Sequence, residues 1–198
     1  MSFFTVNTKE LQETLKEISQ LDKKSQKAVV SALNKTAQSV RTAAAREVRK
    51  TYHVKHGEIL RKIDISKASK NRMRVVLESR DRPIRLINFS VNPKSDSAKK
   101  PKALKAAVKR EGGRKMVPGA FIASVRGSHV GVFKRTPHSR HRKTDKGHWS
   151  EGPIDQLRGP AIPVMLSQPR VVKHIQDFAQ EVVMTKLHHE LKRQKVIR

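Results

Sequence analysis

The first 56 residues contain neither proline nor glycine, the two residues that most readily interrupt a helix. Apolar and small residues recur in this stretch at steps of three and four, for example from Leu33 through Val40 to Val48. Such spacing collects them on one face of a helix and leaves the charged residues on the other. The sequence therefore predicts a long amphipathic helix from Thr8 to about Thr51 that packs within its own domain, with a coiled coil as the alternative.

Further along the chain, shorter patterned segments indicate a mixture of strands and helices. Alternating apolar residues predict strands at Met73–Arg80 and Ile84–Val91, joined by a turn at "DRP". The chain is predicted to rejoin this sheet after Leu104, with "EGG" as the next turn. Helical spacing predicts a short helix near Gly57–Lys62 and a terminal helix over Val171–Arg193.

The stretch "GAFIASVRGSHVGVFKR", residues 119–135, indicates a β-hairpin. Two short strands of small and β-branched residues flank a tight connection at "GSH". The predicted core residues of the hairpin are Phe121, Val125, Val130 and Phe133. We expect Gly119, Gly127 and Gly131 to be required by the backbone, at positive φ or where another group approaches closely.

The stretch "GPIDQLRGPAIPVML", residues 152–166, carries three prolines. Because proline fixes φ and lowers the entropy cost of ordering a chain, these residues predict an extended segment that docks against the domain or a neighbouring subunit. The predicted docking or oligomer contacts are Ile154, Leu157, Ile162 and Leu166.

The order of these segments predicts an α+β fold with a long N-terminal helix, a small and mostly antiparallel sheet of four to five strands, and a C-terminal helix. Hydrophobic residues make up 36% of the chain and aromatic residues 4%, so the expected core is small. We expect a single domain over residues 1–198 with basic loops at about 93–115 and 136–152.

The chain carries a formal charge of +27, with 44 lysines and arginines against 17 acidic residues. Such a surface repels itself unless it meets a nucleic acid, an acidic protein or a membrane surface. The residues predicted to contact DNA or an acidic partner are Lys94, Lys99, Lys100, Lys102, Lys105, Arg114, Lys115, Lys134, Arg135, Arg140, Arg142 and Lys143.

No motif predicts catalysis or a bound cofactor, since GxSxG, GxxxxGK[ST] and HExxH do not occur. His138, His141 and His148 lie close together in the sequence, but the arginines and lysines between them oppose a metal cation. The chain has no cysteine, which excludes disulfides and thiolate metal sites. We therefore expect neither an enzyme nor a cofactor or metal site.

The sequence predicts neither a signal peptide nor a membrane span. The stretch "MSFFTVNTKEL" lacks a basic region followed by an apolar run, so we expect no signal peptide. No window holds 18 apolar residues, so we expect no membrane span and predict a product of the cytoplasm.

The hairpin stretch, the polar loop after it and the "GPIDQLRGPAIPVML" ending together resemble the phage minor tail protein Z family, whose members act as tail completion proteins. The resemblance extends to "ALNKTAQSVRTAAAREVRKTYHV" near the N-terminus and covers most of the chain. The tract from Pro93 to Lys115 is its least family-like part.

This resemblance implies a non-enzymatic virion protein, made in the host cytoplasm, at the head-proximal end of a phage tail. It would help to join tail and head and to position the leading DNA end, with other tail and neck proteins as partners. The small core and basic loops suit a subunit that becomes ordered in a ring of identical copies and contacts DNA independently of sequence. The alternative is a cellular nucleic-acid-binding protein of ribosomal or nucleoid type.

Overall fold

The computed structural model describes residues 2–4, 23–95, 103–125, 129–136, 147 and 153–197. Its helices are α1 (Lys23–Thr51), α2 (His56–Arg61), α3 (Ile162–Leu166) and α4 (Pro169–Arg193), with a 3-10 turn at Leu86–Asn88. Its strands are β1 (Ser2–Phe4), β2 (Asp64–Ser66), β3 (Val76–Ser79), β4 (Ser90–Asn92), β5 (Lys105–Ala107), β6 (Lys115–Met116), β7 (Ala120–Val125), β8 (His129–Arg135) and β9 (Ile154–Gln156).

The chain divides into two compact units. The helical unit comprises residues 1–50, 56–82 and 162–198, and the sheet unit comprises residues 51–55 and 83–161. The helical unit contains α1, α2, the two C-terminal helices and the first three strands, whereas the sheet unit contains β4 to β9.

Helix α1 confirms the predicted long helix from Lys23 onward, while residues 8–22 lie outside the described part of the chain. Its buried side chains follow the predicted spacing, and Val40, Ala44 and Val48 are all buried. Val40 and Ala44 line a small apolar cavity together with Leu166 of α3 and Ile175 of α4. Burial of aliphatic side chains of this size contributes roughly 1.5–3 kcal/mol each, so this helix face is the main core of the helical unit.

The sheet of the helical unit has the antiparallel order β1–β3–β2. Strand β3 lies in the middle, where Leu77 pairs with Phe4 on one side and with Ile65 on the other. Val76, Leu77 and Ser79 are buried, and the Ser79 hydroxyl donates to the Lys62 carbonyl oxygen at 2.7 Å. The strand predicted within Met73–Arg80 is thereby confirmed, although it is shorter.

The sheet unit holds two further antiparallel sheets, β4–β5–β6 and β7–β8–β9. The predicted hairpin is confirmed, because Ala120 to Val125 pair in register with Lys134 to His129. After Leu104 the chain forms β5 against β4, and the "EGG" turn lies between β5 and β6 as predicted, but this sheet is separate from the one that contains β3. Phe133 is buried. Val130 lies on the same face as the buried Val132 but nearer the end of the hairpin, opposite Ser124, and is 39% exposed.

The sheet of four to five strands is not confirmed, since the described strands form three separate three-stranded sheets. The predicted strand at Ile84–Val91 is wrong over most of its length. Its first residues pair elsewhere: the Leu86 amide donates to the Leu157 carbonyl oxygen at 2.9 Å, and the Gly159 amide donates to the Ile84 carbonyl oxygen at 2.8 Å. The chain then turns through the 3-10 helix, and "DRP" therefore does not join two paired strands.

The proline-rich segment is extended in its first part only. Ile154 to Gln156 form β9 against β8, whereas Ile162 to Leu166 form helix α3. Pro163 is compatible with that helix because the amide hydrogens of a first helical turn need no intrahelical acceptor. The prediction of an extended segment is therefore wrong from Ile162 onward.

Candidate functional site

The sheet β4–β5–β6 presents a row of exposed side chains in the sheet unit. Lys105 on the central strand pairs directly with Asn92 on one side and with Met116 on the other, and all three are exposed. Directly opposite residues point to the same face of a sheet, so this row is a single surface. Beneath it, Leu104 and Val91 are buried and hold the sheet on the core of the unit.

The predicted contact residues Lys94 and Lys115 are also exposed near this row. Lys115 pairs with Ala106 across the β5–β6 ladder, and Lys94 follows the end of β4 by two residues. Arg114 is exposed too, and its Nε atom donates a hydrogen bond to the Ser90 hydroxyl at 2.9 Å. Lys105 and Lys115 thus lie on adjacent strands but point to opposite faces of the sheet, because Lys105 is paired with Met116 and Lys115 with Ala106. Arg114 lies at the end of the turn between the two strands.

A short backbone ladder extends the basic surface beyond β5. The His53 amide donates to the Val108 carbonyl oxygen at 2.9 Å, and the Arg110 amide donates to the Thr51 carbonyl oxygen at 2.8 Å. His53 is half-buried, and burial, followed by the charges of Arg110 and Arg114, lowers the pKa of its imidazole. Sequence reasoning missed His53, because the ladder that brings it to Arg110 joins residues far apart in the chain.

The two predicted contact residues of the hairpin, Lys134 and Arg135, each have a neighbouring group within the hairpin sheet. Lys134 lies opposite Asp155 of β9, so a carboxylate neighbours it across the ladder. The Arg135 guanidinium carbon lies 5.8 Å from the ring centroid of Phe121, within the range of a cation–π interaction. Both side chains are exposed, but each has a neighbour of complementary character within the hairpin sheet.

The hairpin glycines meet two different backbone requirements. Gly119 has a φ of +71°, in the left-handed region that favours glycine. Gly131 lies in β8, where a Cβ atom would come within 2.7 Å of the side-chain Nε2 atom of Gln156 and 3.0 Å of the Phe133 ring. Gly127 lies outside the described residues.

Several predicted contact residues also lie outside the described part of the chain, namely Lys99, Lys100, Lys102, Arg140, Arg142 and Lys143, as do His138, His141 and His148. Within the described ranges, no group of three or more histidines and acidic residues could hold a metal ion. None of the described helices is long and apolar enough to cross a bilayer.

The proline-rich segment distributes its four predicted contacts over both units. Ile162 and Leu166 are buried in the helical unit, whereas Ile154 and Leu157 are half-buried in the sheet unit. Their docking onto a neighbouring subunit stays a prediction.

The sequence model of the prophage minor tail protein Z (GPZ) family matches residues 8–197 of the 198-residue chain. The chain belongs to this family. No curated protein and no solved structure matches it. Membership in the minor tail protein Z family supports a structural role in a phage tail and favours that interpretation over a ribosomal or nucleoid protein.

The helical unit of this minor tail protein contains a buried carboxylate that the sequence analysis did not identify. Glu190 of α4 is fully buried, with Lys35 Nζ of α1 at 2.6 Å and an Arg193 guanidinium nitrogen at 2.7 Å. Burial is the largest influence on Glu190 and opposes its ionisation. The hydrogen bonds from Lys35, Arg193 and Ser31 outweigh it and lower the pKa of Glu190 to about 2.

A second buried carboxylate, Glu47, connects the same two helices. Lys50 Nζ lies 2.7 Å from it, and His174 and Arg170 of α4 approach to 3.6 and 3.7 Å. Burial again opposes ionisation most strongly, but the hydrogen bond and charge of Lys50 and the charges on α4 lower the pKa of Glu47. The sequence signal for both residues was a glutamate within the apolar spacing of a helix, since Glu47 follows Val40 and Glu190 follows Val183 by seven positions.

Proposed function

We propose that this minor tail protein completes the head-proximal end of the tail, where it helps to join the tail to the head and to position the leading DNA end. The family match carries the tail role. The exposed cations of the sheet unit support the contact with a polyanion, because Lys94, Lys105 and Lys115 all face solvent in the monomer. DNA that passes through the end of a tail is a polyanion, and the protein would have to contact it whatever its base sequence.

Contacts from lysine and arginine to phosphate oxygens suit this task because they carry affinity without reading bases. The proposed DNA surface comprises the described residues Lys94, Lys105, Arg114, Lys115, Lys134 and Arg135, with Lys99, Lys100, Lys102, Arg140, Arg142 and Lys143 contributing from the rest of the two basic loops. An acidic face of a tail or neck protein is the other partner that this charge fits.

We propose further that the protein acts as a ring of identical copies, each a single functional domain over residues 1–198. A closed ring repeats one basic surface around a common axis, which concentrates positive charge on the path of the DNA. Ile154 and Leu157 are the side chains of the proline-rich segment with surface left to bury, because each is only half-buried in the monomer. They are the proposed contacts to the next copy or to another tail protein.

Deletion of the gene tests the proposed position in assembly. Heads and tails of normal length should accumulate unjoined, with few infectious particles, and expression of the chain from a plasmid should restore infectivity. In joined particles, a tag at the C-terminus should appear by electron microscopy at the neck. Normal infectivity without the gene, or a tag at the distal tip, would contradict the proposal.

A further inference from the structure

His53 and Arg110 share one face of the short ladder beyond β5. The bridge between Tyr52 and Lys109 is antiparallel, and its hydrogen bonds run from the His53 and Arg110 amides. His53 is therefore opposite Val108, and Arg110 is two positions further along the same strand. Such diagonal positions in an antiparallel pair bring long side chains within reach of each other.

Arg114 adds a second guanidinium from the turn that leads into β6. Its Nε atom donates to the Ser90 hydroxyl, which anchors the side chain to β4. Arg110 and Arg114 are the two charged groups whose fields act on His53, and Lys55 and Lys109 are exposed neighbours along the two paired segments. The turn's one acidic residue, Glu111, is exposed.

We propose that His53, Arg110 and Arg114 form a phosphate-binding site for a backbone phosphate of nucleic acid. The proposal deepens the proposed DNA contact and rests on it. A guanidinium presents its donors in a planar fork that matches phosphate oxygens, which distinguishes this site from the point charges of Lys105 on β5 and Lys115 on β6. The imidazole adds one donor as a neutral ring and two as a cation.

The site differs from a general basic surface in its coupling to a proton. Burial and the two arginines lower the pKa of His53, so the imidazole is neutral at neutral pH. A phosphate bound by the three side chains adds negative charge beside the imidazole and raises that pKa again. Binding therefore takes up a proton, and by linkage the affinity for phosphate rises as the pH falls.

The pKa of His53 in the full-length protein, followed by NMR of the assigned imidazole, tests the site directly. We expect short duplex DNA of mixed sequence, and inorganic phosphate at higher concentration, to raise it. A rise of about one unit corresponds to about tenfold tighter DNA binding when the pH is lowered through the titration. His53→Gln should bind DNA without that additional pH dependence.

The matched variants are Arg110→Gln, Arg114→Gln and, as a control with the same charge change on α4, Lys173→Gln. Either arginine variant should raise the pKa of His53 in the free protein and weaken its response to phosphate, whereas Lys173→Gln should change neither. A His53 pKa that DNA and phosphate both leave unchanged overturns the site.

Titrations with duplex DNA, with inorganic phosphate and with polyglutamate distinguish this site from the proposed DNA contact as a whole. DNA that binds without moving the His53 pKa overturns the site and leaves the general DNA contact standing. A response to phosphate or to polyglutamate but not to DNA overturns nucleic acid as the ligand of the site. A response to DNA that is lost in both arginine variants upholds it.

Discussion

In the helical unit the buried carboxylates Glu47 and Glu190 each collect cations from both α1 and α4, whereas in the sheet unit the described carboxylates, Glu111 and Asp155, are exposed. Four cations of the first unit thus connect a helix pair, namely Lys35, Lys50, Arg170 and Arg193. The same residue types in the second unit line an open surface. Both units are rich in lysine and arginine, but among the described residues only the helical unit buries carboxylates between them.

The two ion-pair clusters, around Glu190 and around Glu47, also show the relative direction of α1 and α4. Glu190 near the end of α4 meets Lys35 in the first half of α1, and Arg170 at the start of α4 meets Glu47 near the end of α1. The helices are therefore antiparallel, with one ion-pair cluster toward each end of their contact. The cluster around Glu190 is called the first clamp and the cluster around Glu47 the second clamp. Buried pairs of this kind contribute less to stability than their geometry indicates, but removal of one partner is costly.

The largest effect is expected from Glu190→Gln, which removes the charge of a fully buried carboxylate. The free energy of unfolding at neutral pH should fall by about 3 kcal/mol, because Lys35 and Arg193 lose their counter-charge. Urea unfolding measures the change. Glu181→Gln on the exposed face of the same helix is the control and should change stability by less than about 0.5 kcal/mol.

The pH dependence makes this test specific. Because the pKa of Glu190 is about 2 in the folded protein, against an ordinary value of 4.5, its contribution is complete above pH 4.5 and is lost as the pH falls toward 2. Glu190→Gln should lack that part of the acid-induced loss of stability. Equal acid sensitivity of the variant and the parent protein would contradict the clamp.

Glu47→Gln should have the next largest effect, about 2 kcal/mol, because a hydrogen-bonded buried charge is lost. The effect should be smaller than for Glu190, since two of the partners of Glu47 lie at 3.6 and 3.7 Å. Its lowered pKa places the associated loss of stability below pH 4.5 in the parent protein. If thermal unfolding at neutral pH shows Glu47→Gln to be at least as stable as the parent, this second clamp has no stabilising role.

Packing around Phe89 in the sheet unit depends on the absence of a side chain at Gly159, and Gly159→Ala tests this. A Cβ atom at residue 159 would lie 2.6 Å from the buried Phe89 ring, so the variant should lose about 1–3 kcal/mol. Gly57→Ala is the matched control, because no atom lies within 4 Å of the added Cβ atom in α2. The control should be neutral or slightly stabilising, since alanine favours a helix. Similar melting temperatures for both variants would contradict the close packing at Phe89.

The sequence predicted the elements that local patterns determine. The long helix, the hairpin and the C-terminal helix each follow from spacing within one segment, and the structure contains all three. The division into three sheets was not predictable in this way, because Ile84 and Leu86 pair with residues near 158, which lie far along the chain. The same limit applies to the candidate site. Lys105 and Lys115 were identified from composition, whereas His53 became part of the basic surface only through a long-range ladder.

The smallest effect on stability is expected from the exposed lysines, and it bears most directly on the contrast between the units. Replacing Lys94, Lys105 and Lys115 of the sheet unit with Gln should leave the free energy of unfolding within about 0.5 kcal/mol per residue, because all three are exposed. DNA binding should weaken, and the slope of log K against log salt should fall by about 0.9 for each lysine that contacts a phosphate.

The matched set replaces Lys24, Lys27 and Lys173 of the helical unit, which are equally exposed and remove the same charge. If the sheet unit faces the DNA, this second set should retain the slope of the parent protein and change only the long-range attraction, which salt screens. Equal losses of slope in the two sets would show that DNA responds to the net charge of the chain and not to one surface. The difference between the units would then concern stability alone.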